Sequence, residues 1–600
     1  MRYLIPSLLA FVASSQAAVL PTVNFTEAGQ NSQGNTLPKF NFTEEDKKNN
    51  DNTLPKFDFG SNGEECQNTP TSRQCWGKYN IDTDYYKVVP EGGLSEHWLV
   101  AEEGPCAPDG FQRTCMMFNG TIPGPTITAN WGDLVRIHVK NNMRSNGTSV
   151  HWHGVHMRES LLADGVPGVT QCPIAPGESM VYEFRATQYG SSWYHSHFSL
   201  QYAEGLVGGI VIKGPATANY DEDLGTLLMQ DWAHKGAFEL WSAKARKGGI
   251  VNMDGGLING TNTFGGKGKK FETIFQRGKK YLLRLVNSST DSVFQFNIDG
   301  HSLEVIANDF VPIVPYNTSS VQVNIGQRYD VIVRADAEPG DYWLRSGWTR
   351  NCGFNSNPAD ITGIVRYDAK STALPTTTSN LKLNEHCLDE PLEKLVPHLK
   401  LDVGKMAPVN SHLQVLNNTR DVNSFFHWTL NTSSLVLDWK TPTMTHVFNK
   451  EPLFPTPYNV VSVNRTGTER EWAVLIIEDS SSLGIDHPIH LHGHDFWVVS
   501  QSRSKWDGTT NGFNTRNPPR RDVASLPGRG HLALAFELDN PGAWLVHCHI
   551  AWHASQGLSL EFVEDQALIK IPEAQRKQYD QTCKSWQGHK PIWEQDDSGI

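Results

Sequence analysis

Residues 547–553 read His547-Cys548-His549-Ile550-Ala551-Trp552-His553. On a β-strand, residues i and i+2 share a face and residue i+1 points the other way. His547 and His549 therefore present two imidazoles to one side, and Cys548 presents its sulfur to the opposite side. Three further His-x-His pairs occur, at His151/His153, His195/His197 and His490/His492. One such pair is weak evidence of a ligand site. Four pairs supply more imidazoles than one ion needs and suit a three-ion cluster. His487 precedes His490 by an odd spacing, which turns it away from that cluster, although Pro488 interrupts strict alternation. His553 follows Cys548 by five residues, after what reads as a tight turn. One thiolate with two imidazoles is the trigonal ligand set of a blue-copper electron-transfer site. Leu558 lies ten residues beyond Cys548 and offers no axial ligand, which raises the reduction potential; it also suits simple core packing.

The surrounding chain reads as strand. Runs such as Leu134-Val-Arg-Ile-His-Val139, Leu282-Leu-Arg-Leu-Val286, Val293-Phe-Gln-Phe-Asn-Ile298 and Asp330-Val-Ile-Val-Arg334 are short and mostly alternating. Pro-Gly turns separate them, at Pro123-Gly124, Pro176-Gly177, Pro339-Gly340 and Pro541-Gly542. This predicts β-sandwiches or barrels. The 600 residues, with 51 glycines and 33 prolines, exceed one core and call for several domains. A net charge of -12 without a basic run argues against nucleic-acid and anionic-membrane partners.

Residues 1–18 read as a signal peptide, with Arg2, an apolar stretch from Tyr3 to Val12 and a small-residue cleavage site at Ala17-Ala18. No other run is long enough to span a membrane, so the expected product is soluble and extracellular. Ten Asn-x-Ser/Thr sequons fit export: Asn24, Asn41, Asn119, Asn146, Asn259, Asn287, Asn317, Asn417, Asn431 and Asn464. Residues 19–65 read as a pro-segment or flexible arm, with a short duplication at 35–42 and 52–59. Nine cysteines in an exported chain predict disulfides and one thiol left over, most naturally Cys548 between its two histidines.

The segments His151-Trp-His-Gly-Val-His156, Trp193-Tyr-His-Ser-His197, His487-Pro-Ile-His-Leu-His-Gly-His494 and His547-Cys-His-Ile-Ala-Trp-His553 resemble the four copper motifs of multicopper oxidases, most of all the ascomycete laccases. The resemblance runs from about Cys66 to the C-terminus. It implies an all-β chain of three consecutive cupredoxin-like Greek-key β-barrel domains, at 66–215, 216–370 and 396–583. A linker at 371–395 and a C-terminal tail at 584–600 complete the division. It also implies four copper ions. Type 1 copper takes His487, Cys548 and His553, with Leu558 axial and non-ligating. Type 2 takes His151 and His490. The type 3 pair takes His153, His195 and His549 on one ion and His197, His492 and His547 on the other. His156 and His494 lie inside the motifs as structural residues.

The implied activity is one-electron oxidation of phenolic reductants coupled to reduction of O₂ to water, by a secreted monomer. Ascorbate oxidase or metallo-oxidase activity is the alternative. Asp164 matches a family carboxylate near type 2 copper that relays protons; as part of Asp-Gly it also reads as a turn residue. Asp291 matches an acid that accepts the phenolic proton, and otherwise reads as a solvated loop acid. Trp552 is expected at the pocket wall. Proximity and the resemblance suggest the disulfides Cys66/Cys75, Cys106/Cys115, Cys172/Cys583 and Cys352/Cys387. The terminal Asp597-Ser-Gly-Ile600 resembles the family tail that plugs the solvent channel. The arm before residue 66 and the Cys106/Cys115 pair are departures from the family.

Overall fold

The computed structural model describes residues 66–600, apart from 145, 380, 405, 468–470 and 591–594, and omits the side chains of 407–411. The signal peptide, the arm with its duplication, Asn24 and Asn41 lie outside the described residues.

Three β-modules follow one another, and each is built the same way. Its first sheet contains one parallel pair: Leu94–Cys106 with Leu134–Asn141, then Glu222–Trp232 with Lys280–Asn287, then Met406–Arg420 with Trp472–Asp479. Its second sheet contains another: Gly124–Asn130 with Val207–Lys213, Phe271–Ile274 with Thr362–Arg366, and Val460–Val463 with Ser559–Glu564. All remaining pairings in these sheets are antiparallel. A parallel pair needs a crossover connection, and two crossovers on facing sheets wind each module into a Greek-key barrel. The modules hold sheets of four and four, six and five, and six and five strands. The fold is all-β, with three cupredoxin-like domains.

Local burial explains which strands could be read in sequence. Leu134–Asn141 alternates half-buried and buried positions along its whole length. Phe294–Ile298 and Gly542–Cys548 are buried at every position. They lie between a barrel core and a neighbouring element, so both faces are covered.

The cores are not distributed one per barrel. The second domain has its own, around Leu285, Phe294, Phe296, Val331 and Val365. The first and third domains share one continuous apolar cluster, to which the second domain adds Leu228, Trp241, Val286, Phe310 and Ile325. It runs from Ile137, Trp152 and Tyr182 to Leu475, Leu534 and Trp544. The C-terminal helix Glu573–Gly588 is joined to the first domain by Cys172–Cys583, across 411 residues of sequence. Bridges also join Cys66 to Cys75, Cys106 to Cys115 and Cys352 to Cys387, which leaves Cys548 free and buried. The segment 371–395 is pinned rather than loose. Asp389 accepts from the Ser525 N–H at 2.9 Å and from Gln501 at 2.8 Å. Glu390 accepts from the Gln322 N–H at 2.7 Å.

One sequon is excluded as a glycan acceptor. Asn287 is fully buried, and its amide donates to the carbonyls of Ser292 and Val323, both at 2.9 Å. A glycan on this amide would break both bonds and has no room in the fold. Asn119, Asn317, Asn431 and Asn464 are exposed.

Candidate metal centre

The strand Gly542–Cys548 pairs antiparallel with His487–Leu491, with His490 opposite His547 and Ile489 opposite Cys548. Residues directly opposite share a face. His490 and His547 therefore face one side of the sheet, and the Cys548 sulfur faces the other. In the first domain Val150–Trp152 pairs with Gly190–Ser196, which sets His151 opposite His195. The shared core brings these two sheets together, and their imidazoles meet between the two barrels.

The donor atoms fall into groups whose members all lie within 4.8 Å of one another. On the sulfur side the group is His487, Cys548 and His553. On the other side the groups are His153/His195/His549, His197/His492/His547, His151/His153/His490 and His151/Asp164/His492. His487 Nδ1 and His553 Nδ1 each stand 3.6 Å from Cys548 Sγ and 3.1 Å from one another. His553 sits in a short helix, Ala551–Ser555, rather than on a simple turn, and the helix starts with the Ala551 N–H donating to the Thr290 carbonyl at 3.0 Å. Leu558 is buried, and its main chain is fixed by bonds to Cys548 and His553, both at 3.0 Å.

Burial keeps nine of these imidazoles neutral, so each of the nine has a lone pair to give. It lowers His487 to about 3 and His547 to about 4. It also holds His153, His195, His197, His490, His492, His549 and His553 well below the ordinary histidine range, with neighbouring imidazoles adding to the effect. Burial first, and Asp291 second, push the Cys548 thiol up. A cation beside the sulfur reverses that and favours thiolate.

Hydrogen bonds fix which nitrogen each ring offers. His151 Nδ1–H donates to the Asp164 carbonyl at 2.7 Å, and His490 Nδ1–H to the Asp522 carbonyl at 2.7 Å. His492 Nδ1–H donates to Asp164 Oδ2 at 2.9 Å. His195 and His547 donate from Nδ1 to the carbonyls of Ser196 and Cys548, both at 3.0 Å. All five then present Nε2. His153 is reversed: Nε2–H donates to Asp522 Oδ1 at 3.1 Å, leaving Nδ1. The freed nitrogens, with both nitrogens of His197 and His549, are buried polar atoms without a protein partner. Buried polar atoms need partners, and so many converging neutral imidazole nitrogens fit metal ions.

Models described as multicopper oxidase match residues 100–217, 223–370 and 416–567. Laccase-2 of Botryotinia fuckeliana is 53% identical over 550 residues, covering 89% of this chain and 94% of the relative. The chain belongs to the multicopper oxidase family. Dihydrogeodin oxidase of Aspergillus terreus is 39% identical over 585 residues, covering 89% of this chain and 96% of that one. The crystal structure of the laccase from Botrytis aclada is 51% identical with a TM-score of 0.86, covering 89% of this chain and all of that one. A multicopper oxidase of this type carries four copper ions, one type 1, one type 2 and two type 3. The buried, orphaned nitrogens fit that complement.

Around the multicopper centre, Trp428, Arg328 and Asp522 could not be read from sequence, whereas Trp552, Asp164, Asp291, His156 and His494 could. Trp428 sets its ring 4.8 Å from His487 and 5.0 Å from His553, and its Nε1–H donates to Gln556 at 3.0 Å. Trp552, expected at a pocket wall, is buried and part of the shared core. Asp164 is wholly buried, and its Oδ1 has no hydrogen-bond partner but lies 3.3 Å from His151 Nδ1. Asp291 is half-buried, and burial, with Asp231 nearby, pushes its carboxyl well up. Asp231 accepts the main-chain N–H of Thr290 at 2.7 Å and of Asp291 at 2.9 Å. His156 and His494 face Asp495 at 3.3 Å and Glu564 at 3.0 Å, away from the groups above. Asp522 carries Arg328 on both oxygens, each at 2.6 Å. Burial pushes this carboxyl up and Arg328 draws it back, and the two short contacts favour the carboxylate. Asp522 and Arg328 carry no motif, and only the fold joins them.

Proposed function

We propose that the chain is a secreted laccase that oxidises phenolic and related aromatic reductants. The observation that carries the reading is Cys548, whose sulfur faces His487 and His553 while its chain neighbours His547 and His549 face the opposite imidazole groups. In this reading His487, Cys548 and His553 hold type 1 copper, with Leu558 axial and non-ligating. His151 and His490 hold type 2. His153, His195 and His549 hold one type 3 ion, and His197, His492 and His547 hold the other. When bound, the coppers supply one-electron acceptance at the outer site and four-electron reduction of O₂ to water at the inner three. Cys548 gives a covalent route between the two, through its side chain and one stretch of main chain to either imidazole.

Each O₂ reduced to water consumes four protons. Asp164 is suited to relay them, because one oxygen accepts from His492 and the other has no hydrogen-bond donor. Asp291 is suited to take the phenolic proton, because it is partly open to solvent and its loop holds the first turn of the His553 helix. A phenol of pKa ~10 gives up an electron more readily as its proton leaves. The metallo-oxidase alternative needs a cluster of free carboxylates beside His487 or His553; Asp291 is one such group, but its neighbour Asp231 is committed to main-chain donors.

The terminal residues support a channel-plug role. Ser598 accepts from the Leu437 N–H at 2.9 Å and donates to the Ala554 carbonyl at 2.7 Å, Asp597 accepts from Ser199, and Ile600 is buried. Domain limits at 215/216, 370/371 and 395/396 fall between strands, whereas the proposed 583/584 limit falls inside the helix Glu573–Gly588. Among the described residues no helix is long and apolar enough to cross a membrane. Export rests on the N-terminal sequence, the sequons and the disulfides, and a monomeric state is part of the proposal.

The test is metal analysis with absorption and paramagnetic resonance spectra, then O₂ uptake with a methoxyphenol, ascorbate and Fe(II). About four coppers per chain, a blue band and preference for the phenol are expected. Full copper with no O₂ uptake refutes an oxidase, and preference for Fe(II) or ascorbate refutes a laccase.

A further inference from the structure

We infer that the second domain, although it supplies no imidazole to the cluster, governs the inner copper site through one buried pair, Arg328–Asp522, with Asp522 as the positioning residue. The inference rests on the copper assignment proposed above.

Asp522 orients two rings at once, and in opposite senses. Its Oδ1 accepts His153 Nε2–H at 3.1 Å, so His153 offers Nδ1. Its carbonyl accepts His490 Nδ1–H at 2.7 Å, so His490 offers Nε2. The two rings stack with centroids 3.9 Å apart and planes within 10°. One residue thus sets the tautomer of a type 2 ligand and of a type 3 ligand. The other partnered rings take their tautomers from first- and third-domain groups: Asp164, Ser196 and Cys548.

Asp522 has little freedom to turn. Arg328, on the second-domain strand Arg328–Arg334, forks both of its oxygens at 2.6 Å. The guanidinium is in turn anchored to the carbonyls of Ser191 and Gly326, each at 3.2 Å. The Asp522 N–H donates to Asp309 Oδ2 at 3.1 Å, and Asp309 Oδ1 accepts the Arg328 N–H at 3.0 Å. All three domains meet in this net.

The backbone leaves room for the pair. Gly154, the glycine of His151-Trp-His-Gly, has φ +75, and a Cβ there would stand 2.3 Å from Asp522 Oδ2 and 2.6 Å from an Arg328 nitrogen. That glycine is therefore required by the ion pair and not only by the turn. A buried ion pair is a weak source of stability. Fixing the tautomer of metal-bound imidazoles, by contrast, changes metal affinity by roughly 10–100-fold.

Two double variants separate these roles. Arg328→Met/Asp522→Asn and Arg328→Met/Asp522→Leu both remove the charges together, so neither strands a lone buried ion. The Asn variant keeps an acceptor for His153, and the Leu variant has none. Copper per chain, the blue absorption, the type 2 resonance and copper release to a graded chelator are measured on the copper-loaded proteins. The expected result is that both keep the blue absorption. The Leu variant should release inner copper at roughly 10–100-fold lower chelator concentration with a shifted type 2 resonance, and the Asn variant, which keeps the acceptor but loses the Arg328 fork, should fall between it and wild type; an Asn variant at wild-type level removes the second domain from the inference. Equal behaviour of the two variants, intact or impaired, overturns the inference. So does a crystal structure of the copper-loaded wild-type chain with His153 bound through Nε2, which needs no variant. A wild-type chain that lacks four coppers refutes the copper assignment instead.

Discussion

Gly326→Ala tests whether the second domain forms the floor of the inner site. Gly326 has φ +82, and a Cβ there would stand 3.0 Å from His549 Cδ2 and 3.1 Å from His153 Cε1. Ordinary contact begins near 3.4 Å, so about 0.4 Å must be found by moving rings that metal holds in place. The left-handed backbone costs about 1–2 kcal/mol for any residue with a Cβ, and crowding costs about 1–3 kcal/mol more. Gly225→Ala is the matched control. Its φ is +75 and nothing lies within 4 Å of the added methyl, so it carries the backbone strain without the crowding. Neither crowded ring belongs to the Cys548 group. A misplacement of about 1 Å at a reacting centre costs on the order of 100-fold, so a few tenths should cost roughly 10-fold. Gly326→Ala should therefore keep its blue absorption and its anaerobic reduction by a phenol, while O₂ uptake falls about 10-fold and Gly225→Ala loses only stability. Undiminished O₂ uptake refutes the reasoning. Equal loss in both variants assigns the effect to backbone strain.

Cys548→Ser should abolish the blue absorption while the inner group still binds copper, and a blue variant removes Cys548 from the outer site. Asp291→Asn should slow phenols several-fold more than electron donors without an ionisable proton, and equal slowing of both removes the proton-acceptor role. Glu561 is fully buried, accepts only from the Thr443 hydroxyl at 2.9 Å, and is raised by burial from 4.5 to about 8. The unfolded chain loses this proton near 4.5 and the folded chain near 8, so the contribution to stability is full below about 4.5 and falls as pH rises to about 8. The slope is on the order of 1.4 kcal/mol per pH unit. Glu561→Gln should flatten the decline of melting temperature across that window, and parallel curves for variant and wild type would sink the assignment.

Much of the fold and centre was legible because β-strands have period two. The alternation of Leu134–Asn141 is visible because one face is half-open, and the parity of His547, Cys548 and His549 separates the two groups without further information. Contributions that depend on long-range pairing were not legible. Asp522 lies in Arg520-Arg521-Asp522, which looks like a solvated charged stretch, yet all three are fully buried. Arg328 lies 194 residues away. Gly326 reads as a turn glycine, and nothing local shows that it faces His153 and His549. Asn287 shows the same limit from the other side: its sequon is intact, but two buried carbonyls claim its amide.

The distribution of cores explains why the centre needs the whole chain. Imidazoles from the first and third domains can converge only if those barrels hold a fixed distance, and their shared apolar cluster supplies that rigidity at close-packed density. The second domain has a core of its own and also lends residues such as Val286, Phe310 and Ile325 to the shared cluster, so it packs directly on the two barrels that carry the ligands. It also touches the chemistry. Gly326 closes on two rings, and Arg328 crosses to Asp522, which serves one imidazole from the first domain and one from the third. A domain without ligands thus holds the orientation of ligands on both of its neighbours. The motif glycine Gly154 fits this arrangement, since any side chain there would displace the carboxylate that sets His153.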